Sequence, residues 1–454
     1  MIASFAGVAA LFGAGALAAS PFKIDSHDDI VATAKTMAHD LMGLYQGNKT
    51  GEIPGILPGP PPNGQYYWWN AAVFWSSFID YWHLTGDSQY NDLVTEGMLW
   101  QTGQNENFLP ANWTASMGND DQCIWAIAAL DATDAGLPDP KDAPKWSTLA
   151  TNVFENMVSR YQDEELCGGG LRWQIPLSNL GYDYKDTVSN GCYFNLASRL
   201  FKATGNSTYS DAAQKVYDWM VKIGYIDEKT WAIYNGGHTG ENCTDINKAL
   251  FSYPAAHIIQ GASFMYNKTS GDAQTKWKSN LDNILDATLK TFFPNGIAFE
   301  AACEEKDTCT TDMISFKGVL HRFLAATTAT APYTAGKITP ILTSSAKAAV
   351  NQCTGGDNGR MCGFHWGDVN GEYYISTTDG LGEQLSTLGA VESLLMVASN
   401  NGTGGAGGGS GSGNGNGSGS GSGSGEPGKP SSAGRMGAMG WWVAVAGLAV
   451  AFAL

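Results

Sequence analysis

The sequence predicts an all-α protein, an (α/α)6 toroid of about twelve helices, and three observations carry that expectation. Apolar residues recur at three- and four-residue spacing in segment after segment, the period of a helix with one buried face. No run of short alternating strands interrupts them. A weak internal repeat marks helix ends: Leu84-Thr85-Gly86-Asp87-Ser88-Gln89-Tyr90 resembles Ala203-Thr204-Gly205-Asn206-Ser207-Thr208-Tyr209, and Thr269-Ser270-Gly271-Asp272 echoes both. Each pattern reads as a helix stopped at glycine and a new one capped by Asp or Asn. The first two lie about 120 residues apart, the length of two helical hairpins, and six such hairpins close a ring around one core. An open superhelical solenoid is the alternative topology. The helices are expected at 27–45, 69–84, 88–103, 120–133, 143–161, 188–203, 208–223, 246–266, 273–291, 312–328, 336–350 and 380–399.

The two ends are not part of this ring. Residues 1–18 are apolar, and Ala16-Leu17-Ala18 supplies the small residues of a secretory cleavage site; a buried first helix is the other reading. Residues 19–400 form the expected folded domain. Residues 401–430 hold a stretch, Gly402 to Gly425, of nearly pure Gly, Ser and Asn that buries nothing and acts as a tether. The nucleotide-loop match Gly402-Thr403-Gly404-Gly405-Ala406-Gly407 falls inside it, with no strand before it. Residues 431–454 begin with the small residues Ser431 and Ser432 and end in the uncharged apolar tail Trp441–Leu454. That order fits a GPI attachment signal, with a tail-anchored helix as the alternative. The expected location is the outer face of the plasma membrane and the cell wall, the membrane being reached through the GPI lipid alone.

Charge and cysteine usage agree with an extracellular protein. The formal net charge is −17, which excludes nucleic acid and anionic lipid as partners and suits a neutral polymer. Eight cysteines, with no CxxC, point to disulfides rather than metal, and the sequence-near pairs Cys303–Cys309 and Cys353–Cys362 are the expected ones. Sequons occur at Asn48, Asn112, Asn206, Asn242, Asn267, Asn401 and Asn416. No cofactor or metal is implied, and a monomer is expected.

One motif carries chemistry. Asn119-Asp120-Asp121-Gln122 precedes the apolar run Ile124–Leu130, so two carboxylates stand at a helix start. Capping and the helix dipole account readily for one of them. Adjacent like charges split two pKa values, the asymmetry that an acid and a nucleophile require. The proline-rich stretch Gly55–Asn70, ending in Tyr66-Tyr67-Trp68-Trp69-Asn70, is expected to line a cleft as a loop. Trp68, Trp69 and Trp173 are candidate sugar platforms or core residues. Asn190 and Tyr253 could bond sugar hydroxyls or serve capping and packing. Lys317 either serves the cleft or snorkels to solvent, and Arg322 reads as structural.

With these motifs in order, Tyr67-Trp68-Trp69-Asn70, Asn119-Asp120-Asp121-Gln122, Gly168–Trp173, Ser189-Asn190-Gly191, Phe251-Ser252-Tyr253 and Phe316-Lys317-Gly318 with Arg322, residues 24–399 resemble glycoside hydrolase family 76. Within it the chain is similar to the fungal GPI-anchored proteins related to mannan endo-1,6-α-mannosidase. The resemblance implies an (α/α)6 fold and retaining chemistry, with Asp120 as nucleophile and Asp121 as acid and base. It also implies transfer of GPI-anchored wall proteins, through their α-1,6-mannose core, to a β-glucan acceptor. A hydrolytic mannanase and a non-catalytic mannan-binding wall protein are the rival readings. Pro254-Ala255-Ala256-His257 after Tyr253 departs from bacterial members, which carry Asn-Gln-Gly there.

Overall fold

The structure, a computed structural model, describes residues 19–60, 64–161, 165–368 and 379–400. The expected leader, tether and attachment signal lie outside the described residues, as do the sequons at Asn401 and Asn416. Among the described residues the helices are α1 (His27–Leu44), α2 (Trp68–Thr85), α3 (Asn91–Trp100), α4 (Asn119–Ala135), α5 (Trp146–Arg160), α6 (Thr187–Thr204), α7 (Ser207–Ile223), α8 (Ser252–Lys268), α9 (Gly271–Phe292), the single turn α10 (Thr311–Ile314), α11 (Phe316–Thr330), α12 (Ala335–Asn351) and α13 (Leu381–Asn400).

Burial sorts them into two layers. Helix α13 buries sixteen of its twenty residues, whereas α7 buries five of seventeen. A helix enclosed on all sides belongs to an inner layer, and one with a single apolar stripe to an outer layer. By this criterion α2, α4, α6, α8, α11 and α13 are inner. Each packs on the next, and α13 packs back on α2. The ring therefore closes, which makes the protein an (α/α)6 toroid rather than a solenoid. Two antiparallel strand pairs decorate it among the described residues: β1 (Tyr184–Asp186) with β2 (Gly236–His238), and β3 (Cys353–Gly355) with β4 (Met361–Cys362).

Most boundaries fall where the sequence puts them, because glycine stops the helices: Gly86 and Gly205 sit in the left-handed region at the ends of α2 and α6. The capping half of the repeat is only partly kept. Asn206 caps α7 by accepting from Thr208 N, but Asp87 is not the cap of α3, and Gly271 opens α9 instead of closing α8. Helix α8 starts at Ser252, not 246, because Asn247 pairs with Gly236 and Asn235 beside β2. The expected helix 312–328 is split at Ser315 into α10 and α11. The proline-rich approach to α2 also ends earlier than expected, so Trp68 and Trp69 are helical.

The inner ring has two chemically different poles. The N-termini of the inner helices meet at one. At the other, Arg322 of α11 bonds Asp80 and Ser76 of α2, and Arg199 of α6 pairs with Asp131 and Asp134 of α4. Glu392 of α13 approaches the same Arg322 at 3.8 Å. Removing one partner from such a network strands a buried charge, so Arg322 is structural, in agreement with the sequence. Disulfides Cys123–Cys192, Cys167–Cys243, Cys303–Cys309 and Cys353–Cys362 brace the fold, and the last two are the expected pairs.

Helices α11 and α13 cross in backbone contact: a Cβ on Gly318 would lie 2.6 Å from the Ser386 Cα. Overpacking of this kind costs about 3 kcal/mol where backbone cannot yield. Gly318→Ala is accordingly expected to lower the thermal midpoint by several degrees, measured by circular dichroism melting.

Candidate active site

The site begins with a strand-like contact, not with a helix. Asn119 N donates to Trp173 O at 2.7 Å and Ile175 N to Met117 O at 3.0 Å, so segments 117–119 and 173–175 pair antiparallel across Gly118 and Gln174. This pairing lays the Trp173 side chain beside the first turn of α4, where its indole Nε1 donates to Asp120 Oδ2 at 3.3 Å. Gly118 is required for it. A Cβ there would stand 2.1 Å from Asp120 Oδ1.

The four-residue motif divides its labour. Asn119 and Gln122 are buried anchors, both bonded by Arg160 of α5; Asn119 also donates to Arg172 O and Gln122 to Asn107 O. Asp120 and Asp121 are the two that keep an exposed edge. Asp121 Oδ2 accepts from Gly118 N at 2.6 Å, the reach-back of a helix first turn. Asp120 Oδ1 is buried and has no hydrogen-bond partner among the described residues.

Two further aspartates share the groove. Asp186 caps α6 by accepting from Ser189 N at 3.0 Å, and Asp312 of α10 accepts from Trp69 Nε1 at 2.9 Å. Burial raises all four carboxyls. Asp120 is pushed well up by burial and by the charges of Asp121 and Asp186. Burial takes Asp121 up to about 6, against the pull of Gly118 N–H, while Asp186 rises to about 6 and Asp312 to about 7. Asp120, Asp121 and Asp312 thus combine strong desolvation with a partly exposed side chain.

The walls are aromatic. Trp69 stacks on Tyr253 at 5.4 Å between centroids, and Tyr253 on Phe316 at 5.0 Å. Burial and the nearby Asp120, Asp121 and Asp312 hold the Tyr253 phenol protonated. Tyr67, 40% exposed, stands at the rim within the field of Asp312 and Asp121. Carboxyls beside aromatic rings can grip a sugar by stacking and protonate or attack it from a carboxyl.

Comparison with known proteins decides the lineage: the profile of Glycosyl hydrolase family 76 matches residues 29–404. The chain belongs to glycosyl hydrolase family 76. As a family 76 glycoside hydrolase it is similar to mannan endo-1,6-alpha-mannosidase DFG5 of Saccharomyces cerevisiae, 38% identical over 386 residues that cover 83% of this chain and 81% of that protein. It is also similar to DCW1 of Candida glabrata, 39% identical over 369 residues, covering 80% and 79%. Among solved structures, Dfg5 from Chaetomium thermophilum in complex with glucosamine matches with TM-score 0.80 and 47% identity, over 83% of this chain and 92% of that one. An inactive variant of the α-1,6-mannanase GH76A of Salegentibacter sp. HEL1_6, with two neighbouring aspartates replaced, was crystallised with α-1,6-mannotriose. It shares the fold at TM-score 0.64 and 17% identity, over 81% and 99% of the two chains.

Of the residues singled out from sequence, the structure brings Asp120, Asp121, Trp69, Trp173 and Tyr253 together and sends four elsewhere. Trp68 is not a platform: its indole donates to Gln101 and its ring stacks on Trp125 in the core. Asn70 spends its carbonyl on Tyr67 N at the start of α2. Asn190 is fully buried, bonded to Leu171 N, Leu171 O and Asp186 O, and so pins the loop that carries Trp173. Lys317 neither lines the groove nor snorkels. It is wholly buried, bonded to Glu304 and Phe364 O and capped by the Phe364 and Trp366 rings. The departure after Tyr253 has a packing role as well, since His257 is buried edge-on against the Tyr253 ring. Asp186 and Asp312 escaped sequence reasoning. Asp186 carried only a cap signal, before Thr187 and Ser189, and Asp312 carried none.

Two outcomes follow from this geometry. Gly118→Ala should cut turnover by about 100-fold, the cost of displacing a reacting group by about 1 Å, while far-ultraviolet circular dichroism stays native. A carboxyl pair working as acid and base needs one protonated and one ionised member, and burial lifts Asp121 to about 6. A profile of kcat/KM against pH should therefore fall on the acid side with a midpoint near pH 6.

Proposed function

We propose that this enzyme cleaves α-1,6-mannosidic linkages by a retaining double displacement, taking the mannose core of GPI-anchored wall proteins as donor and a β-glucan hydroxyl as acceptor. The observation that carries the reading is the pair of neighbouring carboxyls on the groove floor, one held by a backbone N–H and the other by an indole. The printed activities of the fungal relatives, and the manno-oligosaccharide held by the mannanase variant with both aspartates replaced, support the linkage. The glucosamine of the Chaetomium complex supports a GPI core over plain mannan. A groove with four carboxyls suits an amino sugar, whose ammonium group is the natural counter-ion. In this reading the chain is secreted and tethered through its C-terminal signal. No helix among the described residues is long and apolar enough to cross a membrane.

In the first step an Asp120 oxygen bonds to the anomeric carbon as the glycosidic C–O bond breaks, and the leaving oxygen takes the proton of Asp121. In the second, an acceptor hydroxyl attacks that carbon, its proton passes to Asp121, and Asp120 leaves as carboxylate. Burial raises both carboxyls, so their proton affinities alone do not divide the roles. The assignment rests on the family resemblance, and azide rescue decides it. Asp120→Ala with azide should yield a mannosyl azide of inverted configuration, and Asp121→Ala one of retained configuration. The opposite stereochemistry exchanges the two roles, and undiminished turnover in both variants removes them from catalysis.

The mannan endo-1,6-alpha-mannosidase relatives favour a second reading, hydrolysis of wall mannan. Mass spectrometry of products from mannan, with and without a β-glucan acceptor, separates transfer from hydrolysis.

A further inference from the structure

A recess of about 430 Å³ lies on the outer wall, far in sequence from the groove motif, between α5 and α7. Phe154, Val158 and Tyr161 of the α5 side and Thr208, Ala212 and Lys215 of α7 line it, with Tyr193 of α6 as its floor. The floor is a stack of rings: Phe154 on Tyr193 at 5.5 Å and Tyr161 on Tyr193 at 5.6 Å. Thr208 is the third residue of the sequon Asn206-Ser207-Thr208, and Asn206, two residues before this lining residue, is the exposed N-cap of α7. From Thr208 to Lys215 a helix rises about 10 Å, the length of two sugar rings.

We propose that Asn206 carries an N-linked glycan whose first two N-acetylglucosamine residues lie in this recess. The cap leaves the necessary atom available. Asn206 Oδ1 accepts from Thr208 N at 3.0 Å, and attachment uses Nδ2. A bond forms from Nδ2 to the anomeric carbon of the sugar, that carbon's bond to a polyprenyl pyrophosphate breaks with the electron pair leaving on the phosphate, and one amide proton is released. Oδ1 is untouched, so the cap of α7 survives the modification. Other sequons lack this combination: Asn267 engages its Nδ2 with Thr330 O, and Asn242 accepts from Cys167 N beside a disulfide. The acetamido-sugar pair supplies apolar faces for the ring floor and hydroxyls for the Thr208 and Lys215 edge.

The test uses the full chain produced through a eukaryotic secretory pathway and an endoglycosidase that cuts between the two N-acetylglucosamines. Peptide mass spectrometry should find Asn206 occupied, with release from native protein at least tenfold slower than from denatured protein. Ala212→Glu, which places a carboxylate in the recess, should bring native release up to the denatured rate without changing the circular dichroism spectrum. An unmodified Asn206, or equal release from native and denatured wild-type protein, overturns the proposal. So does a folded Ala212→Glu variant that stays protected; should that variant not fold, the wild-type comparison still decides.

Discussion

The pairing of residues 117–119 with 173–175 is the constraint on which the active site depends. Helix α4 alone would present two aspartates to water at its first turn, where they would be ordinary carboxylates. The returning segment covers them, supplies the indole that meets Asp120, and leaves room only for glycine at 118. Much of the surrounding structure exists to hold that segment. The loop from Cys167 to Gly170 runs at positive φ and is fixed by the Cys167–Cys243 bridge. The buried Lys185 ammonium caps the carbonyls of Leu166 and Gly169, and Asn190 clamps Leu171 from both sides. Cys123–Cys192 then ties α4 to α6, the two helices that deliver Asp120, Asp121 and Asp186.

The two poles of the toroid give buried acid different partners. At the closed pole, arginines neutralise Asp80 and Asp131 at hydrogen-bond distance, and the result is a plug. At the other pole, the charges that act on Asp120, Asp186 and Asp312 among the described residues are those of other carboxylates. Their charges are left to repel one another in a desolvated floor. Proton affinities rise, and the site becomes a place that holds protons near neutrality and favours donors or cations in its ligand. A lone arginine here would have made a stable salt bridge and a poor acid catalyst.

The fold was legible because its signals are local. Helical periodicity and glycine stops at 86 and 205 place the elements, and a repeat with a hairpin-pair period proposes the ring. Boundaries moved where a tertiary contact overrode periodicity, as when Asn247 paired beside β2 and shortened α8. The acid pair was legible for the same reason, being adjacent in sequence. Asp312 was not, since only the closure of α11 against α8 brings its turn to Trp69 and Tyr253. Trp68, Asn70, Asn190 and Lys317 share a different lesson. Each stands within a few residues of a groove wall, yet side chains of neighbouring helix positions point to different faces, so nearness in a motif did not mean exposure to the groove.

The direction of α13 has a mechanical consequence. Its first turn lies beside Tyr66 at the mouth, and its last residue, Asn400, bonds Ala325 O and Thr328 at the C-terminal end of α11. Asn400 thus stands a helix length of about 30 Å from the first turn of α13. One helix thus couples the Tyr66 end of the ring to the end that holds the Arg322 network.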